Sequence, residues 1–497
     1  MTPKVVIIGS GFSSLSASCY LAQLGYEVSI YEKNNTVGGR ARQLKKEGFT
    51  FDIGPSWYWM PDVFEKFFND FNTSASDYYK LDKLDPAYRV FFEDGESISI
   101  EDTLEKIYAA FEKEEKGSAA KLKKFIDAAR SNYDIAIKNL VYRPGVSPIE
   151  LVTKETIKKV GQFFSTISKE VRKEFSNKKL IQILEFPVLF LGAKPSDTPA
   201  FYSFMNYADF GLGTWHPKGG MYQVILGMKK LAESLGVTIH TDAPVSKILV
   251  DNGNATGVVV NSSTINADIV LCGADYHHGE TLLDEKYRQY SEKYWERKTF
   301  APSSLLFYVG FDKRLKNIEH HNLFFDTDFD VHAKDIYDHP KWPENPLFYA
   351  NFTSVSDSGT APEGMENGFF LIPLAPGIED TAALREKYFN KIITRFENLT
   401  KQSVQNNIIF KESFCVKDFI KEYNSYKGNA YGMANTLMQT AFLRPKLKSK
   451  KVQNLFFTGQ LTVPGPGVPP SLISGKLVAG LIESQCKLSK QPKLQVV

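Results

Sequence analysis

Short apolar runs, each followed by a glycine-rich turn or a charged residue, organise the first part of the chain. Residues 5–8 are Val-Val-Ile-Ile, which predicts a buried strand, and a helix-like segment follows the turn after them. Residues 28–31 form a second apolar run that ends at the carboxylate of Glu32. Residues 49–53 predict a short strand that ends in a Gly-Pro turn. This order predicts a β-α-β unit at the N-terminus.

The later pattern alternates between helical and strand-like stretches. Residues from about 100 to 205 are mostly helical in pattern, and residues 222–235 predict an amphipathic helix before Gly236. Strands are predicted at residues 237–240, 245–250, 257–260, 267–271, 305–310, 347–352 and 369–374, with a hairpin turn at 251–254. We therefore predict an α/β fold, in which a Rossmann-like domain is interleaved with an α+β substrate domain and a helical subdomain.

The turn after the first strand carries a dinucleotide-binding pattern. Gly9 allows a sharp turn, and Gly11 lets the backbone approach a pyrophosphate, which the N-terminus of the next helix stabilises. Ser14 stands where a third glycine is commonest and is small enough for close helix–strand packing. Glu32 follows Gly9 by 23 residues, a spacing at which a carboxylate binds a ribose and repels the 2′-phosphate of NADP.

A glycine pair and an arginine distinguish flavin from nicotinamide binding. Gly38, Gly39, Arg40 and Ala41 begin six residues after Glu32. In an FAD-binding protein the chain returns past the pyrophosphate here, so the glycines leave room and Arg40 supplies a cation. The alternative interpretation is a surface turn that carries a solvated arginine.

Motifs along nearly the whole chain resemble those of one family. They lie at residues 32–55, 213–221, 271–278, 430–432, 442–445, 454–459 and 464–469. In this order they resemble the amine-oxidase-like flavoproteins, and in particular the bacterial-type phytoene (carotenoid) desaturases. Residues 213–221 look like the W-x-P-x-G-G segment of that family, and residues 464–469 look like its C-terminal flavin motif. Gln460 and Leu461 depart from the family form, in which small residues are usual.

The resemblance and the N-terminal pattern together imply FAD as the cofactor. A helix after Gly467 would direct its N-terminal N–H groups toward the flavin and stabilise the anionic reduced form. The residues assigned to FAD binding are Gly9, Gly11, Phe12, Ser13, Ser14, Glu32, Lys33, Gly38, Gly39, Arg40, Ala41, Gly54, Pro55, Ser56, Trp57, Val245, Asp275, Gly459, Gln460, Gly467, Val468 and Pro469.

The resemblance also implies that the chain returns to the FAD-binding domain several times. We predict that this domain comprises residues 1–75, 213–300 and 425–497, with a frayed tail after residue 488. Residues 76–212 are predicted to form a helical region that holds the substrate and associates with a membrane. Residues 301–424 are predicted to form the sheet of the substrate domain.

Composition narrows the classes of partner. The 37 Phe and 24 Tyr among 497 residues suit an enzyme with an apolar substrate. The formal net charge of +3, with no basic block, argues against nucleic-acid binding. The 4 cysteines are widely spaced, which predicts a reducing compartment without disulfides. The histidine pairs at 277–278 and 320–321 lack carboxylates at metal-ligand spacing, so we predict no metal site.

One apolar region raises the question of membrane contact. Residues 180–191 and 201–205 are typical of a buried helix, but the resemblance favours an entrance that dips into a bilayer. No uncharged apolar stretch reaches the roughly 18 residues of a transmembrane helix, and no signal peptide is apparent. We expect a cytoplasmic protein bound peripherally to the inner face of the membrane.

The activity implied by the resemblance is FAD-dependent desaturation of a carotenoid at CH–CH groups. A long apolar polyene, phytoene on its way to lycopene, would pass a hydride to flavin N5, and a quinone or oxygen would accept the electrons. Three alternatives stay open: a carotenoid cis-trans isomerase, a late-pathway carotenoid desaturase and a non-enzymatic relative that binds prenylated proteins. No catalytic residue is nominated, because Asp52, Glu185, Asp209 and His216 are each more typical of surface or hydrogen-bonding roles.

Overall fold

Residues 2–490 of the chain are described by the computed structural model, in which strands and helices alternate. The strands are β1 (Lys4–Ile8), β2 (Glu27–Tyr31), β3 (Gln43–Lys46), β4 (Phe49–Asp52), β5 (Leu81–Lys83), β6 (Tyr88–Phe92), β7 (Ser97–Ile100), β8 (Trp215–Pro217), β9 (Thr238–His240), β10 (Val245–Asp251), β11 (Asn254–Val260), β12 (Ser263–Asn266), β13 (Ile269–Cys272), β14 (Ser303–Phe311), β15 (His321–Phe325), β16 (Phe348–Asn351), β17 (Glu366–Leu374), β18 (Ile408–Phe414) and β19 (Leu455–Phe457).

The helices follow the same interleaved order along the chain. They are α1 (Phe12–Gln23), α2 (Pro61–Asn69), α3 (Leu104–Glu114), α4 (Ser118–Lys138), α5 (Lys154–Lys158), α6 (Val160–Phe164), α7 (Ile167–Glu174), α8 (Lys178–Glu185), α9 (Phe204–Asn206), α10 (Tyr222–Ser234), α11 (Tyr276–Thr281), α12 (Glu292–Glu296), α13 (Phe329–Tyr337), α14 (Ala382–Thr400), α15 (Val416–Tyr423) and α16 (Val468–Lys490). The rest of the predicted C-terminal tail lies outside the described residues.

A parallel sheet joins strands from widely separated parts of the chain. Its order is β19-β13-β1-β2-β9, and every neighbouring pair is parallel. Residues 5–8 of β1 are all buried, which explains the uninterrupted apolar run, since a strand in a parallel sheet is covered on both faces. This arrangement confirms the predicted α/β fold class.

A second, seven-stranded sheet has the order β18-β14-β17-β16-β15-β6-β7 and is antiparallel except between β15 and β6. Its two faces alternate with a period of two residues. Leu305, Phe324 and Phe370 on one face lie in the same core cluster as residues of α14. Leu306 and Leu371, on the opposite face, line a cavity.

The predicted strand positions agree with the structure, but some ends differ. The strand predicted at residues 369–374 begins at Glu366, and that predicted at residues 305–310 extends in both directions to β14. Glu366 and Asn367 read as polar loop residues, yet both are buried strand residues. Asn367 Oδ1 accepts a hydrogen bond from the backbone N–H of Ser354 at 2.9 Å. The buried polar positions are therefore satisfied by a neighbouring segment that the local pattern cannot show.

Most apolar side chains of residues 180–191 and 201–205 are buried. The spacing of its apolar positions by three and four residues is that of a helix face that packs into a core. The side chains that the structure buries are Leu180, Ile183, Leu184, Phe186, Val188, Leu191, Phe201, Phe204 and Met205. The buried-helix interpretation is confirmed for these side chains, and the membrane entrance stays a prediction. Within residues 2–490, no helix has both the length and the apolarity that crossing a bilayer requires.

We predict that Gly475→Val separates α1 from α16 and destabilises the protein. A Cβ at Gly475 would lie 2.5 Å from Ser13 O and 2.6 Å from Ser16 Cβ, so a larger side chain forces the helices apart. Overpacking of this kind costs ~1–3 kcal/mol, which a thermal unfolding curve detects.

The matched control is Gly480→Ala in the same helix, because a Cβ there meets no atom of residues 2–490 within 4 Å. This variant is expected to be as stable as the parent or slightly more stable, since alanine favours a helix. Equal melting temperatures for Gly475→Val and the parent would contradict the close helix contact.

Candidate active site

A cavity of about 1050 Å³ lies between the parallel sheet and the seven-stranded sheet. Residues that follow four parallel strands line one end of it: Gly9 after β1, Glu32 after β2, Gly273 after β13 and Thr458 after β19. The carboxyl ends of parallel strands form the crevice in which folds of this type bind nucleotides. The structure therefore places the predicted nucleotide site at one end of a much longer cavity.

The glycine-rich turn leaves space where a pyrophosphate is predicted. Gly9 has a φ of 87°, and its N–H donates to Tyr31 O at 2.8 Å. A Cβ built on Gly11 meets nothing within 4 Å, so the space next to this residue is open cavity. Helix α1 starts directly afterwards, and no side chain in the described part of the chain caps its first N–H groups. Uncapped N–H groups at a helix N-terminus bind anions.

Ser14 plays the packing role that the sequence assigns to it. A Cβ at Gly273 would lie 1.9 Å from Ser14 Oγ, so helix α1 packs directly against the backbone after β13. Ser14 does not line the cavity, whereas Phe12 and Ser13 do.

Glu32 is held in a single orientation at the edge of the cavity. Its carboxylate accepts hydrogen bonds from Ser10 N at 2.9 Å, Ser10 Oγ at 2.7 Å, Asn34 N at 2.9 Å and Asn34 Nδ2 at 3.0 Å. Lys33 also lines the cavity, but its ammonium donates to Lys421 O at 2.7 Å. The Glu32 carboxylate is thus fixed where a ribose is predicted, whereas the ammonium of Lys33 is hydrogen-bonded to a backbone carbonyl of α15.

Arg40 provides a half-buried cation beside the nucleotide end. Its Nη2 donates to Ser425 Oγ at 3.2 Å, and its Nε has no hydrogen-bond partner among the described residues. Burial lowers the pKa of the Arg40 guanidinium from its usual value, and the charge of Asp275 opposes this shift. A half-buried cation with an unused donor in a cavity wall fits a bound anion such as a pyrophosphate.

Glycines let the chain pack closely around this arginine. Gly38 and Gly39 have φ values of 113° and 56°, which side-chain-bearing residues rarely adopt. A Cβ at Gly39 would lie 3.3 Å from Gly11 Cα, and a Cβ at Gly54 would lie 2.3 Å from Arg40 O. The glycine pair therefore belongs to the cavity wall, and the surface-turn interpretation of residues 38–41 is wrong.

The C-terminal segment completes the same end of the cavity. Gly459 has a φ of 108° and lies opposite Ser13, and Gly467 has a φ of 114° immediately before α16. Every residue predicted to bind FAD lines the cavity except Ser14. The lining members not yet placed are Ala41, Pro55, Ser56, Trp57, Val245, Gln460, Val468 and Pro469. Their contacts with a cofactor stay a prediction.

The other end of the cavity is apolar and was not identified from the sequence. Trp57, Phe186 and Phe190 pack against one another, and Leu323 and Leu371 of the seven-stranded sheet line the same space. The alternation of apolar residues in β14 and β17 was the available signal, but it does not reveal which face is covered by a helix.

The four acidic or basic candidates that were set aside all lie outside the cavity lining. Asp52 accepts a hydrogen bond from Met221 N at 2.7 Å, and burial raises its pKa to about 6. Glu185 pairs with Arg172, Asp209 accepts from Tyr88 Oη, and His216 contacts Asp357. Burial raises the pKa of Asp209 to about 8. These side chains have hydrogen-bonding roles, as the sequence analysis favoured. Within residues 2–490, no group of His, Cys, Asp and Glu is arranged to hold a metal ion.

We predict that Gly11→Val abolishes FAD retention without unfolding the protein. The Cβ of the new side chain meets no described protein atom within 4 Å, so we expect the fold to be preserved while the space next to the α1 N-terminus is filled. The measurement is the flavin-to-protein absorbance ratio after purification, together with the circular dichroism spectrum. Gly161→Ala is the control, because its Cβ also meets nothing within 4 Å and the residue lies outside the cavity lining. Normal flavin content in Gly11→Val would show that the site is misplaced.

Comparison with known proteins identifies the family. The model of the flavin-containing amine oxidoreductases matches residues 12–482. A carotenoid 3,4-desaturase from Haloarcula japonica is 41% identical over 96% of this chain and 98% of its own length. A zeta-carotene-forming phytoene desaturase from Myxococcus xanthus is 31% identical over 96% of this chain and 93% of its own length.

Solved structures share the fold at low sequence identity. An oxidoreductase from Methanosarcina mazei superposes with a TM-score of 0.62 at 16% identity and covers 97% of this chain and 100% of its own. A putrescine oxidase bound to putrescine superposes with a TM-score of 0.60 at 15% identity. The match covers 97% of this chain and 99% of the oxidase chain. The chain is an FAD-dependent oxidoreductase: it belongs to the flavin-containing amine oxidoreductase family and, within it, to the carotenoid desaturases.

Proposed function

We propose that the protein is a desaturase that inserts a double bond into a long acyclic carotenoid. The observation that carries the proposal is the form of the cavity, in which a nucleotide-type end continues into an apolar end. The 41% identity to a carotenoid 3,4-desaturase supports this assignment over the whole chain. It favours reaction at the 3,4 bond over the reaction of the phytoene desaturase, which is 31% identical, so phytoene is the second candidate substrate.

The residues of the cavity have separable tasks in such a reaction. Bound FAD supplies a hydride acceptor. The N-terminus of α16 lies at the nucleotide end, where Gly467 and Val468 carry backbone N–H groups and the two prolines after them carry none, and the helix dipole would stabilise negative charge there. Trp57, Phe186 and Phe190 form an aromatic wall that aligns a flat polyene and excludes water. A quinone or oxygen would finally accept the two electrons that are removed from the substrate.

Expression in two pigment-producing bacterial hosts tests the substrate. We expect the chain to shift the absorption of a host that accumulates lycopene to longer wavelengths, because each added double bond lengthens the conjugated system. Colour in a host that accumulates phytoene would instead select the phytoene reaction. The flavin-free variant Gly11→Val is expected to change neither spectrum. Unchanged pigments in both hosts, with flavin-loaded protein present, would overturn the proposal.

The proposed route for the substrate is a membrane-facing mouth next to the cavity. Six exposed apolar side chains form what we call the mouth patch: Val146, Ile149, Val152, Ile157, Val160 and Phe164. The patch is continuous with the cavity, because Ser147, Glu150, Leu151 and Phe163 lie between its members and line the cavity.

The chemistry of the patch fits an anionic bilayer. Lys154 and Lys158 are exposed among the apolar side chains, so acyl chains and anionic headgroups both find partners there. A carotenoid dissolves in the same acyl layer and would enter the cavity without crossing water. The proposal therefore places the enzyme peripherally at the cytoplasmic face of a membrane.

We predict that Phe164→Ser weakens binding to anionic liposomes by about tenfold or more, since a phenylalanine side chain that leaves water contributes ~1.5–3 kcal/mol. Co-sedimentation with vesicles of anionic and zwitterionic lipid measures the effect. Ile409→Ser is the matched control, because Ile409 is an exposed apolar residue on the edge strand β18. Equal liposome binding by both variants and the parent would contradict the mouth patch as the contact surface.

A further inference from the structure

One polar cluster interrupts the apolar face of the seven-stranded sheet. His321 of β15 lies opposite Asn351 of β16, and Tyr349 lies two residues further along β16 on the same face. All three side chains are buried. Leu323 and Leu371, their neighbours on this face, are apolar and line the cavity. A buried polar cluster in such a wall needs a structural or a chemical reason.

The hydrogen bonds define the protonation of the cluster. His321 Nδ1 contacts Tyr349 Oη at 2.6 Å and Asn351 Nδ2 at 3.2 Å. The amide group donates, so we assign Nδ1 as the unprotonated nitrogen that accepts both hydrogen bonds, and Nε2 as the nitrogen that carries the hydrogen. Nε2 has no partner among the described residues. Tyr349 therefore donates its hydrogen to His321 and accepts from Ser56 Oγ, which lies 2.9 Å away.

The polar cluster borders the cavity at the place where the nucleotide end of the cavity meets its apolar end. Tyr349 and Ser56 both line the cavity. Ser56 lies two residues after Gly54, and Gly54 packs against the backbone of Arg40 at the nucleotide end. Trp57, from the aromatic wall, stacks on His321 with ring centroids 4.0 Å apart. The Tyr349 hydroxyl is thus a polar group beside both the nucleotide end and the apolar end of the cavity.

A second buried histidine shows what a purely structural role looks like in this cavity. His332 lines the cavity, but its Nε2 donates to Pro373 O at 2.9 Å and its Nδ1 accepts from Leu347 N at 3.0 Å. Both nitrogens are bound by backbone. His321 differs, because its basic nitrogen is connected through a hydroxyl to the space where a substrate lies.

We propose that Tyr349 is a catalytic residue that accepts the substrate proton and passes its own hydroxyl proton to His321 Nδ1. The inference rests on the proposed function. In a desaturation one carbon loses a hydride, and with it two electrons, to the flavin. The neighbouring C–H bond then breaks, its electron pair becomes the second bond of the new C=C, and the proton goes to Tyr349 Oη. It returns through the same hydroxyl to water when the product leaves.

The surroundings of His321 suit a transient acceptor. Burial, together with the nearby ring of His216, holds the pKa of His321 well below its usual range, so the ring is neutral at physiological pH. The ring of His320 lies 4.4 Å from it, and burial likewise lowers the pKa of His320. Burial raises the pKa of the Tyr349 phenol, and the charges of Tyr431, which also lines the cavity, and of Asp52 raise it further. A delocalised cation next to a C–H bond is a strong acid, so a weak base is sufficient.

The test follows flavin reduction by the carotenoid in the holoenzyme without oxygen, in H₂O and in D₂O. Tyr349→Phe is expected to reduce its flavin about 100-fold more slowly, the size of a general-base contribution. Flavin content and polyene binding, followed by tryptophan fluorescence, are expected to stay unchanged. The solvent isotope effect of the parent is expected to disappear, because the exchangeable hydroxyl is gone.

His321→Gln separates basicity from positioning. Glutamine can accept the hydrogen bond of Tyr349 but cannot take up its proton, so this variant is expected to be as slow as Tyr349→Phe. A parental rate and isotope effect in His321→Gln would reduce the histidine to a structural role and overturn the inference.

The control is Tyr88→Phe, which removes another buried hydroxyl of the same sheet that bonds a titratable group, Asp209, outside the cavity lining. Its flavin reduction is expected to match the parent. Parental behaviour of Tyr349→Phe would overturn this inference and leave the proposed function standing. A parent that does not reduce its flavin with any carotenoid would overturn the proposed function and the inference with it.

Discussion

The close contact between α1 and α16 is the constraint on which the site depends. Gly475 has no side chain, so α16 approaches within van der Waals distance of the α1 backbone at Ser13. Ser16 Oγ donates to Leu472 O at 2.7 Å across the same contact. This contact brings the first and last helices of the chain together with both N-termini directed into one cavity. Two helix N-termini in one crevice create an environment that favours a bound anion.

Buried hydrogen bonds hold the loops around that crevice. Arg444 is fully buried, and desolvation lowers its pKa to about 10. Its guanidinium donates to the carbonyls of Met433, Gln439, Gln460 and Thr462 and to Asn435 Oδ1. A buried carbonyl that is left without a hydrogen-bond partner costs ~1–3 kcal/mol. The arginine therefore ties the segment before β19 to the loop after it, and both line the cavity.

The two sheets form different parts of the cavity wall. The parallel sheet presents loops at its carboxyl edge, where backbone N–H groups and glycines can surround a nucleotide. The antiparallel sheet presents a face, which is apolar at Leu306 and Leu371 and polar at Tyr349. A face of this kind suits a long flat substrate, because alternate residues of several strands form one continuous wall. We expect the reaction to take place where the loops of the parallel sheet meet the cavity-lining face of the antiparallel sheet.

Local signals were sufficient for the nucleotide end of the site. Gly9, Gly11 and Arg40 are recognisable in sequence because each lies at a short, fixed spacing from β1 or from Glu32. The apolar end depends on contacts between distant segments. Tyr349 and His321 are 28 residues apart and meet through strand register. The apolar run at residues 180–191 has a composition that fits a core and a membrane equally well. Tertiary packing decided that most of this run is buried and that the apolar side chains of the mouth patch are exposed, because burial depends on which surfaces meet.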